Sequence, residues 1–117
     1  MNLITIWYNP NCSKSREALE ILENDGCKQN IINYLENTPN KQEIKDALSM
    51  LGLTPRELMR TKENLYAELN LKDEQSEDML IEAMVKNPIL IERPVIFKGD
   101  KAIIGRPTSI IAEFIKS

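Results

Sequence analysis

The order of strand-like and helix-like segments predicts an α/β fold built on a mixed sheet. Three observations carry that prediction: a strand–helix–strand unit with short links at the start, a central block where capping signals and helical periodicity recur from Thr38 to Asn87, and a hairpin signal followed by an amphipathic helix at the end.

Leu3 to Tyr8 is β-branched and aromatic and reads as the first strand, stopped by the turn Asn9-Pro10-Asn11. From Ser13 to Asp25 the residues Ala18, Leu19 and Leu22 share one helical face with Ile21 beside them, and Gly26 supplies a left-handed stop. Asn30 to Tyr34 is a second short strand. In the middle block, Asn40 with Glu43 forms a capping-box pattern ahead of Ile44, Ala47, Leu48 and Leu51, and Gly52 ends that run. Thr54-Pro55-Arg56-Glu57 places a cap, a first-turn proline and an N3 glutamate in the preferred order, for a short helix ending near Arg60-Thr61. A brief turn follows at Tyr66 to Leu69. Ser76 caps a further helix through Leu80, Ile81, Met84 and Val85, which Asn87-Pro88 terminates. Val95 to Lys98 and Lys101 to Gly105 then flank the two-residue turn Gly99-Asp100, and a last helix from about Ser109 to Ile115, capped by Thr108, carries Ile110, Ile111, Phe114 and Ile115 on its apolar stripe.

Strand–helix–strand, a helical block, then strand–strand–helix is the order of a thioredoxin-like (glutaredoxin-type) fold. It predicts a single domain over 1–117 with a helical insertion at about 40–91. In such folds a proline before the third strand is commonly cis and lies against the residue at the first strand–helix junction. Arg93-Pro94-Val95 takes that place, which would leave Arg93 close to Cys12.

Composition bounds the function. A chain of 117 residues with 42% hydrophobic content buries a core without staples. Its net charge of −3 argues against a general nucleic-acid binder, which needs a basic excess on one face. The apolar runs are too short to span a bilayer, and Met1 to Trp7 reads as a strand rather than a secretory leader, so a reducing cytoplasm and a monomer are expected. The chain has no histidine, which removes a Cys-His hydrolase pair and leaves too few usual ligands for a metal site.

Cys12 is the candidate nucleophile. At the start of a helix it faces unpaired backbone N–H groups and the positive end of the helix dipole, both of which favour thiolate. The spacing Cys12-x-x-Ser15 is that of a dithiol motif whose second sulfur is a hydroxyl, so no disulfide closes there and a redox cycle must borrow an outside thiol. Cys27, just after Gly26, reads as a structural cysteine. Three of the five arginines stand at junctions that this fold brings together: Arg60 after a short helix, Arg93 before Pro94, and Arg106 before Pro107. Guanidinium forks match tetrahedral oxyanions, each contact being worth roughly 1.5–3 kcal/mol net. Arg56, on a helix first turn, fits a surface salt bridge instead.

Across its length the chain resembles the glutaredoxin-coupled arsenate reductase family. The segments are Asn9-Pro10-x-Cys12-x-x-Ser15-Arg16, Tyr34-Leu35-Glu36-x-x-Pro39, Glu57-Leu58-x-Arg60, Asn87-Pro88-Ile89-Leu90, Glu92-Arg93-Pro94 and Gly105-Arg106-Pro107, in that order. The resemblance implies that Cys12 attacks arsenate to form a covalent adduct while Arg60, Arg93 and Arg106 hold the oxyanion, with Ser15, Arg16 and Pro94 in support. It further implies glutathione as co-substrate, glutaredoxin as the partner that resolves the mixed disulfide, arsenite as product, and no metal or tightly bound cofactor. Better-characterised members carry histidine before the Asn-Pro, where this chain has Tyr8.

Two other readings stand beside it. One is a reductase of the same fold acting on another oxyanion or on a glutathione mixed disulfide, which Tyr8 admits. The other is a non-catalytic regulator of the Spx type, which shares the fold and the Arg-Pro segment; Ser15 and Arg106-Pro107 count against it.

Overall fold

The β-branched segment Leu3–Tyr8 forms β1, and the polar turn after it hands the chain to α1, Ser13–Asn24. The computed structural model describes residues 3–116; Met1 and Asn2, which the strand reading included, lie outside the described residues. Two compact units result. One takes the chain up to Asn37 and resumes at Arg93, and the other is Thr38–Glu92.

In the first unit, α1 ends in a Schellman motif: Gly26, at φ 73°, donates to the Glu23 carbonyl, and Cys27 donates to that of Leu22. Cys27 therefore occupies the position after the glycine and packs half-buried against the core, as a structural cysteine should. The second strand, β2, spans Lys28–Asn33, two residues earlier than its apolar character suggests, because parallel pairing with β1 begins at Leu3 opposite Lys28. The chain returns with β3 (Val95–Lys98) and β4 (Lys101–Ile104) around the Gly99-Asp100 turn, Gly99 having φ 61°. The sheet order is β2-β1-β3-β4, with β1 parallel to β2 and the other pairs antiparallel. This mixed sheet with its flanking helices is the predicted thioredoxin-like α/β fold.

Ile4, Ile6 and Ile96 on one sheet face meet Ala18 and Leu22 of α1 and Ile111 and Ile115 of the last helix, α6 (Ile111–Lys116). Trp7 and Phe97 alternate onto the other face, ring centroids 5.0 Å apart. The entry into α6 differs from expectation. A 3₁₀ turn over Thr108–Ile110 precedes the helix, and Thr108 does not cap it; its hydroxyl donates to the Glu17 carboxylate at 3.5 Å.

In the second unit the capping signals hold. The Asn40 and Glu43 box opens α2 (Lys41–Leu51), which Gly52 closes at φ 69°, and the Thr54 and Glu57 box opens α3 (Pro55–Leu58). This helix stops before Arg60 because Met59 turns extended and pairs with Ile91, with Arg60 N–H donating to Leu90 and Glu92 N–H to Leu58, both at 2.7 Å. The unit continues with α4 (Asn64–Glu68) and the Ser76-capped α5 (Glu77–Lys86), which packs on α2 and α3. Among the described residues no helix is long and apolar enough to cross a membrane.

Arg56 is not the exposed salt-bridge residue its position suggests. Its guanidinium donates to the Tyr66 hydroxyl, to the Leu71 carbonyl at 2.9 Å and to the Glu74 carbonyl at 2.6 Å, tying α3 to the segment between α4 and α5. Arg56→Ala should cost about 1–3 kcal/mol, since the lost charge-assisted donors leave part-buried acceptors behind; urea unfolding measures it.

Gly105 serves a different need, close approach. A Cβ there would sit 3.0 Å from both Pro94 Cγ and Ile111 Cδ1 and 3.2 Å from Ile96 Cδ1. Gly105→Ala should therefore destabilise by about 1–3 kcal/mol, the usual cost of overpacking, again read from urea midpoints.

Candidate active site

The turn after β1 is closed by three hydrogen bonds. Cys12 N–H donates to the Asn9 carbonyl at 3.0 Å, Asn11 N–H to Asn9 Oδ1 at 2.9 Å, and Asn9 N–H to Ser15 Oγ at 3.2 Å. Ser15 is fully buried beneath the turn, so its hydroxyl anchors the loop. Arg16 lies exposed and reaches back to the Pro10 carbonyl at 3.2 Å, clasping the turn from outside.

Cys12 is the N-cap residue of α1, extended at φ −106°, ψ 121°, and only 7% exposed. Its sulfur closes no capping hydrogen bond of the kind a serine oxygen makes, yet it sits in the field of the Ser15 and Lys14 N–H groups. The first turn of α1 holds no carboxylate, whereas α2, α3 and α5 carry Glu43, Glu57, and Glu77 with Asp78 in theirs. The positive end of the α1 dipole is left for the sulfur.

The β3–β4 hairpin delivers two guanidinium groups to this point. Its register pairs Val95 with Ile104, and Gly105 N–H donates to the Pro94 carbonyl at 2.8 Å, so Arg93 and Arg106 come next and face one another. The Arg93–Pro94 peptide is cis, as the sequence predicts, and so is Arg106–Pro107. Arg106 donates through Nε to the Arg93 carbonyl at 2.7 Å and points Nη2 at Cys12 Sγ, 3.6 Å away. Arg93 donates to the sulfur as well, while its Nε and Nη1 are buried and have no hydrogen-bond partner among the described residues. Buried charged donors left unpaired are costly, so these Arg93 N–H groups favour an anion beside them.

Burial pushes the Cys12 thiol up. The Ser15 and Lys14 amides and then the Arg93 charge outweigh it, bringing the pKa from 9.0 to about 7. Cys27 is shifted the other way, by burial and by the neighbouring Asp25 charge against a smaller pull from Lys98. Tyr8, at the position of the family histidine, is half-buried and packs against the Ile4–Ile6–Ala18 cluster. Activation thus comes from backbone amides and arginine.

A profile of the ArsC family matches residues 7–114. The chain belongs to the ArsC family. An arsenate reductase of Neisseria meningitidis serogroup A is 42% identical over 106 residues, covering 89% of this chain and 91% of that protein. An Escherichia coli K12 relative named uncharacterized protein YfgD is 46% identical over 114 residues, covering 96% of each chain. The solved structure of an arsenate reductase from Vibrio cholerae superposes with a TM-score of 0.92 at 46% identity, covering 96% of this chain and 97% of that one.

Of the residues singled out from sequence, the structure brings Cys12, Ser15, Arg16, Arg93, Pro94 and Arg106 together in the first unit. Arg60 belongs to the second, where Nη1 pairs with Glu63 at 2.9 Å and Nε with Glu92 at 3.9 Å. Sequence reasoning took Asn9 only as a turn former. The Asx-turn rule, in which an Asn side chain accepts from the N–H two residues on, is the signal that identifies it.

A depressed pKa means that the thiolate fraction is high above about 7 and is lost as pH falls through that value. Iodoacetamide alkylation followed site by site should show Cys12 with a midpoint at about 7 and Cys27 with a midpoint above 9.0. Arg93→Ala should move the Cys12 midpoint upward.

Proposed function

We propose that this protein is an arsenate reductase acting through a Cys12 thiol–arsenate adduct, with glutathione and glutaredoxin as external reductants. The observation that supports it is the pair of buried, unpartnered Arg93 N–H groups beside an activated sulfur. The arsenate reductases among its relatives give the oxyanion its identity.

In this reading the Cys12 thiolate attacks arsenic, the S–As bond forms and one As–O bond breaks, the oxygen leaving as water after taking up protons. Arg93 and Arg106 neutralise the oxyanion that would otherwise repel the thiolate. Glutathione thiolate then attacks the Cys12 sulfur. The S–As electron pair stays on arsenic, which departs as arsenite, reduced by two electrons, and a Cys12–glutathione disulfide remains. The thiol of glutaredoxin takes the glutathione and returns Cys12 as thiolate. No metal or tightly bound cofactor is needed, and a reducing cytoplasm supplies the thiols. Arg60, Ser15, Arg16 and Pro94 complete the machinery on the strength of the family motif.

Tyr8 favours a second reading, in which the same thiolate and arginines serve another oxyanion or a glutathione mixed disulfide. A tyrosine packed into the core contributes no cationic imidazole to the nucleophile.

The deciding measurement is arsenate-dependent NADPH oxidation in an assay containing glutathione, glutaredoxin and glutathione reductase. Turnover by the wild type, none by Cys12→Ser, and a KM for arsenate raised about tenfold or more by Arg93→Ala are expected, the last from the loss of at least one charge-assisted pair. No arsenate-dependent oxidation by the wild type, alongside a positive control, would remove this function.

A further inference from the structure

We infer that Asn9 is a positioning residue for Cys12: its side-chain carbonyl fixes the turn that holds the sulfur against the first amides of α1 and beside Arg93. This rests on Cys12 as the nucleophile of the reaction proposed above.

The fold asks little of this bond. Asn11 is exposed, so its N–H would find water if Asn9 Oδ1 were absent, and a hydrogen bond with that alternative adds little to the fold. Yet Asn9 is only 8% exposed, and an amide side chain is buried there in preference to an apolar one. Its geometry explains why. The Asn9 carbonyl accepts from Cys12 N–H at 3.0 Å while Oδ1 accepts from Asn11 N–H at 2.9 Å, so one residue closes a β-turn and an Asx-turn over the same Pro10. The two closures leave Asn11 and Cys12 little rotational freedom.

That rigidity matters because Cys12 makes no capping hydrogen bond of its own. A serine or aspartate N-cap is held in place by the bond it forms with the helix. Here the sulfur must be kept near the Lys14 and Ser15 amides by the backbone behind it. The third bond, from Asn9 N–H to the buried Ser15 hydroxyl at 3.2 Å, links the turn to the same first turn of helix. Asn9 thus touches the strand side and the helix side of the nucleophile without touching the sulfur. The two bonds made by its backbone would survive any substitution except proline; only the Asx bond belongs to the side chain.

Alkylation of Cys12 against pH tests this in Asn9→Ala and Asn9→Ser, with Cys27 in the same molecules as the internal control. Asn9→Ala should raise the Cys12 midpoint by about one unit, a roughly tenfold loss of thiolate below it, with Cys27 unchanged. Asn9→Ser, whose hydroxyl can still accept from the N–H two residues on, should recover most of that shift. The inference is overturned if Asn9→Ala keeps the wild-type midpoint, if the serine variant shifts as far as the alanine one, or if Cys27 becomes as reactive as Cys12, which would mark general loosening. Because alkylation needs no arsenate, failure of the proposed reaction and failure of this inference are read separately.

Discussion

Two guanidinium groups held side by side at the end of one hairpin favour negative charge beside them, and the Cys12 sulfur stands there. Arg93 and Arg106 repel each other, and burial of Arg93 Nε and Nη1 keeps water from those two donors while Arg106 lies exposed. The sulfur of Cys12 relieves the repulsion by favouring its charged form. In the proposed reaction a bound oxyanion would relieve it further by taking up the Arg93 donors that the sulfur leaves free. In that reaction the same arrangement that lowers the thiol pKa would also receive the anionic substrate, with Arg93 linking the two effects.

The packing around this pair follows from the same demand. Arg93 and Arg106 can face each other only if the backbones of Pro94 and Gly105 come together, which is why a side chain is excluded at Gly105 and why Pro94 is buried against it. Beneath them, Ile96 and Ile111 seal the apolar core. Polar fixtures are confined to the rim: the Asn9 turn on one side and the Arg106 to Arg93 carbonyl bond on the other. The core supplies the stability, while the rim fixes the atoms around the sulfur.

Local signals made most of this legible in sequence. Capping boxes at Asn40 and Thr54, the stops at Gly26 and Gly52, and the Gly99-Asp100 turn appear as read, because each depends on a few neighbouring residues. The hairpin spacing carries more than its strands. Arg93 lies six places before Gly99 and Arg106 six after Asp100, so a two-residue turn already pairs them in register. What local pattern misses is tertiary. The end of α3 is set by the pairing of Met59 with Ile91, the early start of β2 by its register with β1, and the burial of Arg56 by carbonyls well downstream. Thr108 precedes an apolar stripe and so has the pattern of a cap; the 3₁₀ turn inserted there sends its hydroxyl to Glu17 instead.

The two cysteines also constrain how a redox cycle could close. Cys12 stands at one end of α1 and Cys27 just beyond the other, separated by the 12 residues of the helix. At 1.5 Å per residue that is about 18 Å along the axis, whereas a disulfide needs Cα atoms roughly 4.4–6.8 Å apart. Unwinding α1 to join them would expose Ala18 and Leu22, both fully buried in the sheet-facing core. Position 15, one helical turn from the nucleophile and near enough for a second thiol, is instead a hydroxyl already engaged with Asn9. An oxidised Cys12 would therefore have no partner within its own helix or at that helix's far end, and in the proposed cycle its return to thiolate would draw electrons from another molecule. The raised pKa of Cys27 reinforces the separation, since a thiol with little thiolate is a slow attacking group at neutral pH.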